Sequence, residues 1–142
     1  MFCFFCDIQK EDERKVIDSQ YFTSRFSEVP VAAGHCEIFS KEHKEDLFQL
    51  SSDEWNNLYE IIKAVKQKIE EKYQPNGYNI GFNVGLAGGQ SQKHIHLHVI
   101  PRYLGDVENP RGGVRNVIPD KADYYKYILE KFPERKKYIK EN

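Results

Sequence analysis

Three histidines alternate with apolar residues in the segment KHIHLHVIP, which covers residues 93–101. Alternation of this kind is typical of a β-strand, in which successive side chains point to opposite faces of the sheet. His94, His96 and His98 therefore share one face, with neighbouring side chains about 6.5–7 Å apart. Imidazoles in such a row repel one another when protonated and need polar partners when buried. The arrangement indicates a functional site, either a metal site or a catalytic surface.

A glycine-rich loop stands directly before this strand. It has the sequence GLAGGQSQ and covers residues 85–92. Because glycine has no Cβ, such a loop can bring backbone N–H groups close to a bound anion. Taken alone, the loop is also consistent with a plain hairpin connection. Together with three histidines on one face, it indicates a phosphate bound beside a nucleophilic imidazole.

Two cysteines near the start of the chain form a Cys-x-x-Cys pair. Redox motifs of this form open a helix inside a βαβ unit, which the sequence around Cys3 and Cys6 does not predict. Metal ligation and a short tail with two buried cysteines both remain open. Cys36 has no evident partner and is expected in the core. Because an odd number of cysteines favours a reducing compartment, we expect a cytoplasmic protein.

Length and charge limit the classes of protein that the chain can belong to. Its 142 residues suffice for one domain with a real core, so we expect a single domain over 1–142. Charged residues make up 30% of the chain and give a formal net charge of −1, which argues against binding duplex nucleic acid. No apolar run approaches the roughly 20 residues of a membrane span, and the N-terminus has no basic leader. We therefore expect no membrane partner.

The remaining sequence predicts the elements that position these residues. The clearest helix covers residues 51–74 and begins with a capping box between Ser51 and Glu54. We expect its apolar stripe to be buried; the stripe consists of Trp55, Leu58, Ile61, Ile62, Val65 and Ile69. Further predictions are a hairpin within 15–26, strands at 35–39, 78–84 and 94–100, and a second helix at 121–132. Strands around one long helix indicate an α+β fold with an antiparallel sheet.

The segment GGQSQKHIHLHVIPR resembles the motif of the histidine triad (HIT) family, in which histidines alternate with apolar residues after a G-Q-S/T loop. The segments GHCEIFSKEH (34–43) and GFNVG (81–85) resemble family strands, and all five histidines fall at family positions. The resemblance covers about residues 3–120, and a C-terminal helix and tail follow at 121–142. It implies the HIT-like fold, an antiparallel sheet with one long helix and a C-terminal helix.

For function, the resemblance implies a nucleotide hydrolase or transferase that acts at the α-phosphate through a nucleotidyl-histidine intermediate. HVIPRY and GDVENPRGGVRNVIP resemble the bacterial diadenosine tetraphosphate hydrolase-like branch, in which Arg111 and Arg115 could hold distal phosphates or lie in solvent. By position, His96 would be the nucleophile, His98 would assist the phosphate or leaving group, and His35 would orient the triad. The implied substrate-binding residues are Asn83, Gly89, Gln90, Ser91, Arg102 and Ser27. Ser27 stands where relatives often carry an Asp or Asn that bonds the ribose.

The resemblance also implies a structural zinc ion in a closed tetrahedral site. Its ligands would be Cys3, Cys6, His43 and His94. It further implies a small-molecule nucleotide as partner and a homodimer, with Trp55 or Tyr59 at the interface. Two alternatives to an enzyme stay open: a nucleotide-binding sensor or adaptor with slow turnover, and a zinc-scaffold interaction module. The latter leaves the glycine loop and His96 unexplained.

Overall fold

The computed structural model describes residues 2–11 and 13–139, and the chain divides into two compact units. The first unit ends at Leu104 and the second begins at Gly105. Among the described residues, no helix has the length and apolar character needed to span a bilayer. The single domain over 1–142 stays a prediction, and the end of the predicted tail, 140–142, lies outside the described residues.

The first unit is built on a five-stranded sheet with the order β1-β2-β3-β5-β4, in which every pair of neighbours is antiparallel. The strands are β1 (Lys15–Asp18), β2 (Phe22–Phe26), β3 (Cys36–Ser40), β4 (Gly77–Phe82) and β5 (His96–Arg102). β1 and β2 form the predicted hairpin, and β5, which carries histidines, lies between β3 and β4. This architecture, with the helices described next, confirms the predicted α+β class.

One long helix, α2 (Ser52–Tyr73), packs on one face of the sheet. Its capping box is present, because the Ser51 hydroxyl accepts from the Glu54 N–H while the Glu54 carboxylate accepts from the Ser51 N–H. The core on this face combines residues of α2 and the strands: Leu58, Ile61, Val65, Ile69, Phe22, Cys36, Ile38, Leu97 and Val99. Burial of the predicted helix stripe is thus confirmed over most of its length.

Trp55 departs from that stripe, because half of its surface is exposed. It lies in the first turn of α2 and stacks on Phe82 with ring centroids 6.5 Å apart. Phe82 ends β4, which is the edge strand, so the indole lies at the margin of the sheet. The prediction that Trp55 is buried within this chain is wrong.

The opposite face of the sheet carries the histidines and is partly covered by the N-terminal segment. A short helix, α1 (Phe4–Ile8), packs Phe5 and Ile8 against Phe39 of β3 in a second, smaller buried cluster. The Phe5 ring also contacts the rings of His94 and His96. Strand alternation therefore separates an α2 side, which is apolar, from an α1 side, which carries His94, His96 and His98.

The strand that carries the histidines is shifted by two residues from its prediction. It begins at His96, because the N–H of Ile95 donates to the carbonyl of Lys44 in the loop after β3. It continues past Pro101, which lies opposite Tyr78 of β4. The pairing of β3 with β5 ends at Val99, so β3 does not need a hydrogen bond from the N–H that Pro101 lacks.

The second unit contains helix α3 (Tyr125–Lys131) and three 3-10 segments. The segments are Gly113–Val117, Pro119–Lys121 and Pro133–Tyr138. The helix begins four residues later than predicted, because the Asp123 carboxylate accepts from the Tyr125 N–H and turns the chain there. Arg111 lies 3.3 Å from the Tyr125 ring centroid, and Arg115 donates to backbone carbonyls of its own unit.

Candidate active site and metal centre

His96 lies at the start of β5 and exposes 7% of its surface. Its Nδ1 is 2.9 Å from the carbonyl oxygen of His94. Because a carbonyl only accepts, Nδ1 carries the proton, and the neutral ring keeps its lone pair on Nε2. Among the described residues, Nε2 has no hydrogen-bond partner. This nitrogen is therefore available for nucleophilic attack.

A hydrogen bond of 3.0 Å joins His35 Nε2 to His98 Nδ1. Its direction follows from Val31, whose N–H donates to His35 Nδ1 at 3.2 Å. His35 therefore carries its proton on Nε2 and donates it to His98, whose own proton lies on Nε2. Burial lowers the pKa of both rings, to about 4 for His98, where the charges of His96 and His35 add to the effect. At neutral pH the neutral His98 ring thus presents an N–H donor, with its centroid 5.0 Å from that of His96.

The turn before β3 fixes His35 in this arrangement. Gly34 has a φ of +86°, and a Cβ at this position would lie 2.8 Å from Cδ2 of Tyr73. Glycine alone combines the left-handed backbone with such a close approach. The His35 N–H donates to the carbonyl of Ala32 at 3.1 Å and closes the turn, so that Val31 can donate to the imidazole.

The glycine loop is closed by its own hydrogen bonds. The Gln90 N–H donates to the carbonyl of Gly85 at 3.1 Å, and Gln90 Oε1 accepts from the Gly85 N–H at 2.9 Å. The side chain of Gln90 therefore shapes the loop. Ser91 is exposed, and neither its hydroxyl nor its N–H has a partner within the described part of the chain. Both Ser91 donors are available to an anion.

Of the other predicted substrate residues, Asn83 and Gly89 lie near His96, whereas Arg102 does not. Phe82 pairs with Leu97, which puts Asn83, the next residue, level with His96, and a Cβ on Gly89 would lie 4.0 Å from the Asn83 Cγ. Arg102 stands six residues beyond His96, about 20 Å along the same strand. It donates to Asn79 Oδ1 at 2.7 Å, so it could reach only distal groups of an extended substrate.

Ser27 is buried after β2, and its hydroxyl donates to Glu37 Oε1 at 3.2 Å. Glu37 lies opposite His98 in the register of β3 with β5, and a carboxylate oxygen comes within 4.8 Å of ring nitrogens of His35 and His98. Glu37 was not predicted from the sequence. The available signal was its spacing, because a residue two positions after His35 on a strand shares its face.

Four metal-binding side chains converge beside His96, with ligand atoms all within 4.8 Å of one another. They are the predicted set, Cys3, Cys6, His43 and His94. His94 Nδ1 lies 3.3 Å from Cys3 Sγ and 3.5 Å from Cys6 Sγ, and His43 Nδ1 lies 3.4 Å from Cys6 Sγ. In tetrahedral zinc sites, Zn–S bonds of about 2.3 Å and Zn–N bonds of about 2.0 Å put neighbouring S and N ligands about 3.5 Å apart. The observed separations fit a zinc ion.

The protonation of these ligands fits a cation as well. His94 Nε2 lies 2.8 Å from the carbonyl oxygen of Ser40, so Nε2 carries the proton and the Nδ1 lone pair faces the thiols. Burial raises the pKa of Cys6 to about 11, and the hydrogen bond and charge of Cys3 add to the effect. Without a cation this thiol stays protonated at neutral pH, whereas a divalent ion would stabilise its thiolate.

A second group of metal-binding side chains consists of His35, Glu37 and His98. Here the two imidazoles already share a hydrogen bond. A metal would require the lone pair of His35 Nε2, but the Val31 N–H keeps the proton on that nitrogen. The tautomer of His35 therefore disfavours a metal in this group.

A model of the HIT domain matches residues 9–105. A HIT-like protein of Methanocaldococcus jannaschii is 37% identical over 125 residues, which cover 84% of this chain and 95% of that protein. An adenosine 5'-monophosphoramidase of Schizosaccharomyces pombe is 29% identical over 72% of this chain and 75% of its own length. A bis(5'-nucleosyl)-tetraphosphatase of the same yeast is 31% identical over 54% of this chain and 42% of its own length.

Solved structures show the same fold. A HIT family protein from Bacillus anthracis has a TM-score of 0.66 and 30% identity, over 71% of this chain and 73% of that one. A zinc-bound histidine triad family protein from Mycobacterium smegmatis has a TM-score of 0.65 and 28% identity, over 73% of this chain and 77% of that one. The region matched by the domain model contains all five histidines and all five strands, but not Cys3 and Cys6.

Proposed function

The chain belongs to the HIT family, and on that premise we propose that it is a nucleotide hydrolase or transferase that acts at the α-phosphate of its substrate. The observation that carries the proposal is the tautomer of His96. Its Nδ1–H is held by the carbonyl of His94, so the lone pair stands on Nε2 of a neutral ring. Neutral imidazole is a good nucleophile near pH 7 and a good leaving group afterwards.

The reaction has two displacement steps. His96 Nε2 attacks the α-phosphorus and forms a P–N bond while the P–O bond to the leaving group breaks. His98 donates a hydrogen bond from Nε2–H to a phosphate oxygen or to the departing oxygen and keeps its proton, and His35 keeps His98 in that tautomer. Water then attacks the phosphorus of the nucleotidyl-imidazolium and loses one proton to the solvent, the P–N bond breaks, and a nucleoside monophosphate leaves with His96 neutral again.

Dinucleoside polyphosphates are the substrate class that we propose. The similarity to a bis(5'-nucleosyl)-tetraphosphatase supports this choice. The similarity to an adenosine 5'-monophosphoramidase supports a second candidate, in which the same attack releases an amine instead of a phosphate. A nucleotide-binding sensor with slow turnover remains the alternative to an enzyme, and measured turnover separates the two.

The phosphate would lie between His96 and the glycine loop. Ser91 has an available hydroxyl and N–H, and Asn83 and Gly89 lie at the same end of β5. Gln90 contributes through the shape of the loop that it closes. Donors fixed before the substrate arrives stabilise the charge that develops on phosphate oxygens.

The sugar hydroxyls would bind near Ser27 and Glu37. A serine alone replaces a carboxylate poorly, because it bonds fewer hydroxyls. Here the Ser27 hydroxyl already donates to Glu37, which lies opposite His98. A carboxylate is thus present on the functional face, supplied by β3 instead of the segment after β2.

We also propose one structural zinc ion per chain, in a homodimeric cytoplasmic protein. Four protein ligands leave no open coordination position, which suits a structural ion. Trp55 is 50% exposed and stacks on Phe82 of edge strand β4, and Tyr59, one turn further along α2, is 60% exposed. These two exposed aromatic side chains support a dimer interface. Cys3, Cys6 and Cys36 form no disulfide bond with one another, which supports a reducing compartment.

The test is His96→Asn, which keeps a polar side chain but cannot form the P–N bond. Turnover of diadenosine tetraphosphate should fall by at least about three orders of magnitude, as when other enzymes lose a nucleophile. Nucleotide binding and zinc content should be retained. The matched control, His98→Asn, should lose less activity, and a labelled nucleotide should be trapped on wild type and on His98→Asn but not on His96→Asn. Near-normal hydrolysis by His96→Asn would mean that water attacks directly.

A further inference from the structure

Phe5 lies inside the Cys-x-x-Cys pair, and its ring packs on the histidine row. The ring centroid is 4.6 Å from that of His96, with an interplanar angle of 32°, and 5.6 Å from that of His94. The Phe5 ring also packs on Phe39 of β3, with ring centroids 4.7 Å apart. Phe5 itself exposes 2% of its surface. A residue of the N-terminal segment is therefore in direct contact with the nucleophile.

We propose that Phe5 is a positioning residue for His96 and that the zinc centre holds Phe5 in place. The proposal deepens the proposed function and rests on it. Phe5 sets the plane of the imidazole, so that the Nε2 lone pair keeps one direction while the substrate is bound. The metal thereby contributes to the rate without contacting the substrate.

His96 needs this restraint because its side chain has a single hydrogen bond among the described residues, from Nδ1–H to the carbonyl of His94. A single hydrogen bond leaves the His96 ring free to rotate about its Cβ–Cγ bond. The Phe5 ring restricts one side of the His96 imidazole. The His98 ring meets the His96 ring nearly edge-on, with an interplanar angle of 77° and ring centroids 5.0 Å apart. In-line attack needs the lone pair within roughly 10–20° of its productive direction.

The metal centre would fix Phe5 because two of the ligands, Cys3 and Cys6, lie on either side of Phe5 in the chain. Phe5 is flanked by Cys3 and Cys6, and helix α1 has only five residues. A single helical turn does not persist alone in water, since its nucleation is unfavourable. Binding of both thiols to one ion would hold the segment against the sheet. The same ion would bind the ring of His94, whose carbonyl orients His96.

The test compares Phe5→Leu with Phe2→Leu in the zinc-loaded protein. Phe2 is adjacent to Cys3 but fully exposed, so it is the matched control. For Phe5→Leu we expect one zinc per chain, a KM for diadenosine tetraphosphate within about twofold of wild type, and a kcat that is about 10 to 100 times lower. Nitrogen-15 spectra of the imidazoles should show a single Nδ1–H tautomer for His96 in wild type and a mixture in Phe5→Leu. Phe2→Leu should match wild type in both measurements.

A Phe5→Leu protein that melts at a lower temperature but keeps the wild-type kcat and His96 spectrum would overturn the proposal, because Phe5 would then be only a core residue. If Phe5→Leu does not fold, Phe5→Met keeps the apolar volume without a flat ring and is judged by the same criteria. If wild type hydrolyses no nucleotide, the proposed function fails. The spectra still decide about Phe5 in that case, since an unchanged His96 tautomer in the variant overturns the positioning role.

Discussion

Removal of the metal should release the N-terminal segment and leave the sheet folded. Helix α1 is one turn long and covers the histidine face through Phe5 and Ile8. The sheet has its own core on the opposite face, against α2. Loss of the ion by chelation, or by Cys3→Ser, should therefore produce local opening of residues 3–8 before global unfolding.

The magnitudes show why the segment depends on the ion. Burial of Phe5 and Ile8 stabilises the closed segment by about 1.5–3 kcal/mol each, or about 3–6 kcal/mol together. Ordering the backbone of residues 3–8 costs about 1–2 kcal/mol per residue, or about 6–12 kcal/mol in all. The cost exceeds the gain by between about 0 and 9 kcal/mol, which is smaller than the roughly 10–16 kcal/mol that structural zinc sites supply. We therefore expect the segment to be closed with the ion bound and mainly open without it.

Hydrogen exchange read by mass spectrometry, with zinc content measured on the same samples, tests this expectation. In the zinc-loaded protein the Asp7 N–H, which donates to the carbonyl of Cys3 at 3.0 Å, should be protected. After chelation, peptides that cover residues 3–9 should exchange like an unfolded chain, while those of α2 and β5 stay protected. Cys36→Ala, which removes a thiol outside the metal set, is the control and should keep its zinc. Equal protection of α1 with and without zinc would refute the reasoning.

Three further expectations concern stability and assembly. Gly34→Ala should lower the free energy of unfolding, measured in urea, by at least about 1–2 kcal/mol, which is the cost of the left-handed backbone alone. The control Gly81→Ala should cost less, because an added Cβ at Gly81 meets no atom within 4 Å. Burial raises the pKa of Glu54, but hydrogen bonds from Lys44 and Ser51 outweigh burial and leave the pKa below 4.5. The ionised Glu54 therefore stabilises the fold above pH 4.5, and this stabilisation is lost as the pH falls through the folded-state pKa. Glu54→Gln should therefore lose stability at pH 7 and show a smaller stability change between pH 7 and pH 3 than wild type; equal slopes would contradict this. Sedimentation velocity should give a dimer for wild type and a monomer for Trp55→Glu, and a wild-type monomer at micromolar concentration would exclude the interface.

Local signals in the sequence predicted the elements well, because each signal acts through near neighbours. The capping box at Ser51 and the apolar spacing of α2 depend only on helix geometry, and both are confirmed. The alternation around His96 likewise predicted a strand. Its boundaries were wrong by two residues, because they depend on where β3 and β4 stop pairing, which the local pattern does not contain.

Contacts between distant segments could not be predicted in the same way. Phe5 and His96 are 91 positions apart, and nothing in the motif CFFC indicates that its second phenylalanine meets an imidazole. The tautomers of the histidines depend on which backbone group faces each nitrogen, as for Val31 and His35. Glu37 could have been predicted from the sequence, since strand alternation places it on the same face as His35.

His96, the proposed nucleophile, follows His94, a proposed metal ligand, by two residues, and this spacing has a mechanical consequence. Nδ1 of the His94 ring faces the thiols of Cys3 and Cys6, while the His94 carbonyl accepts the hydrogen bond that fixes the tautomer of His96. A change in the ring of His94 is therefore transmitted to His96 through one peptide unit, whose planarity leaves little freedom between them. Phe5 makes a second connection between the same two sites, through packing instead of covalent geometry. Because β5 also holds His98 on the next position of that face, one strand aligns the proposed nucleophile and the N–H donor, and His94 lies two residues before its start. Such sites on strands hold their geometry better than sites on loops.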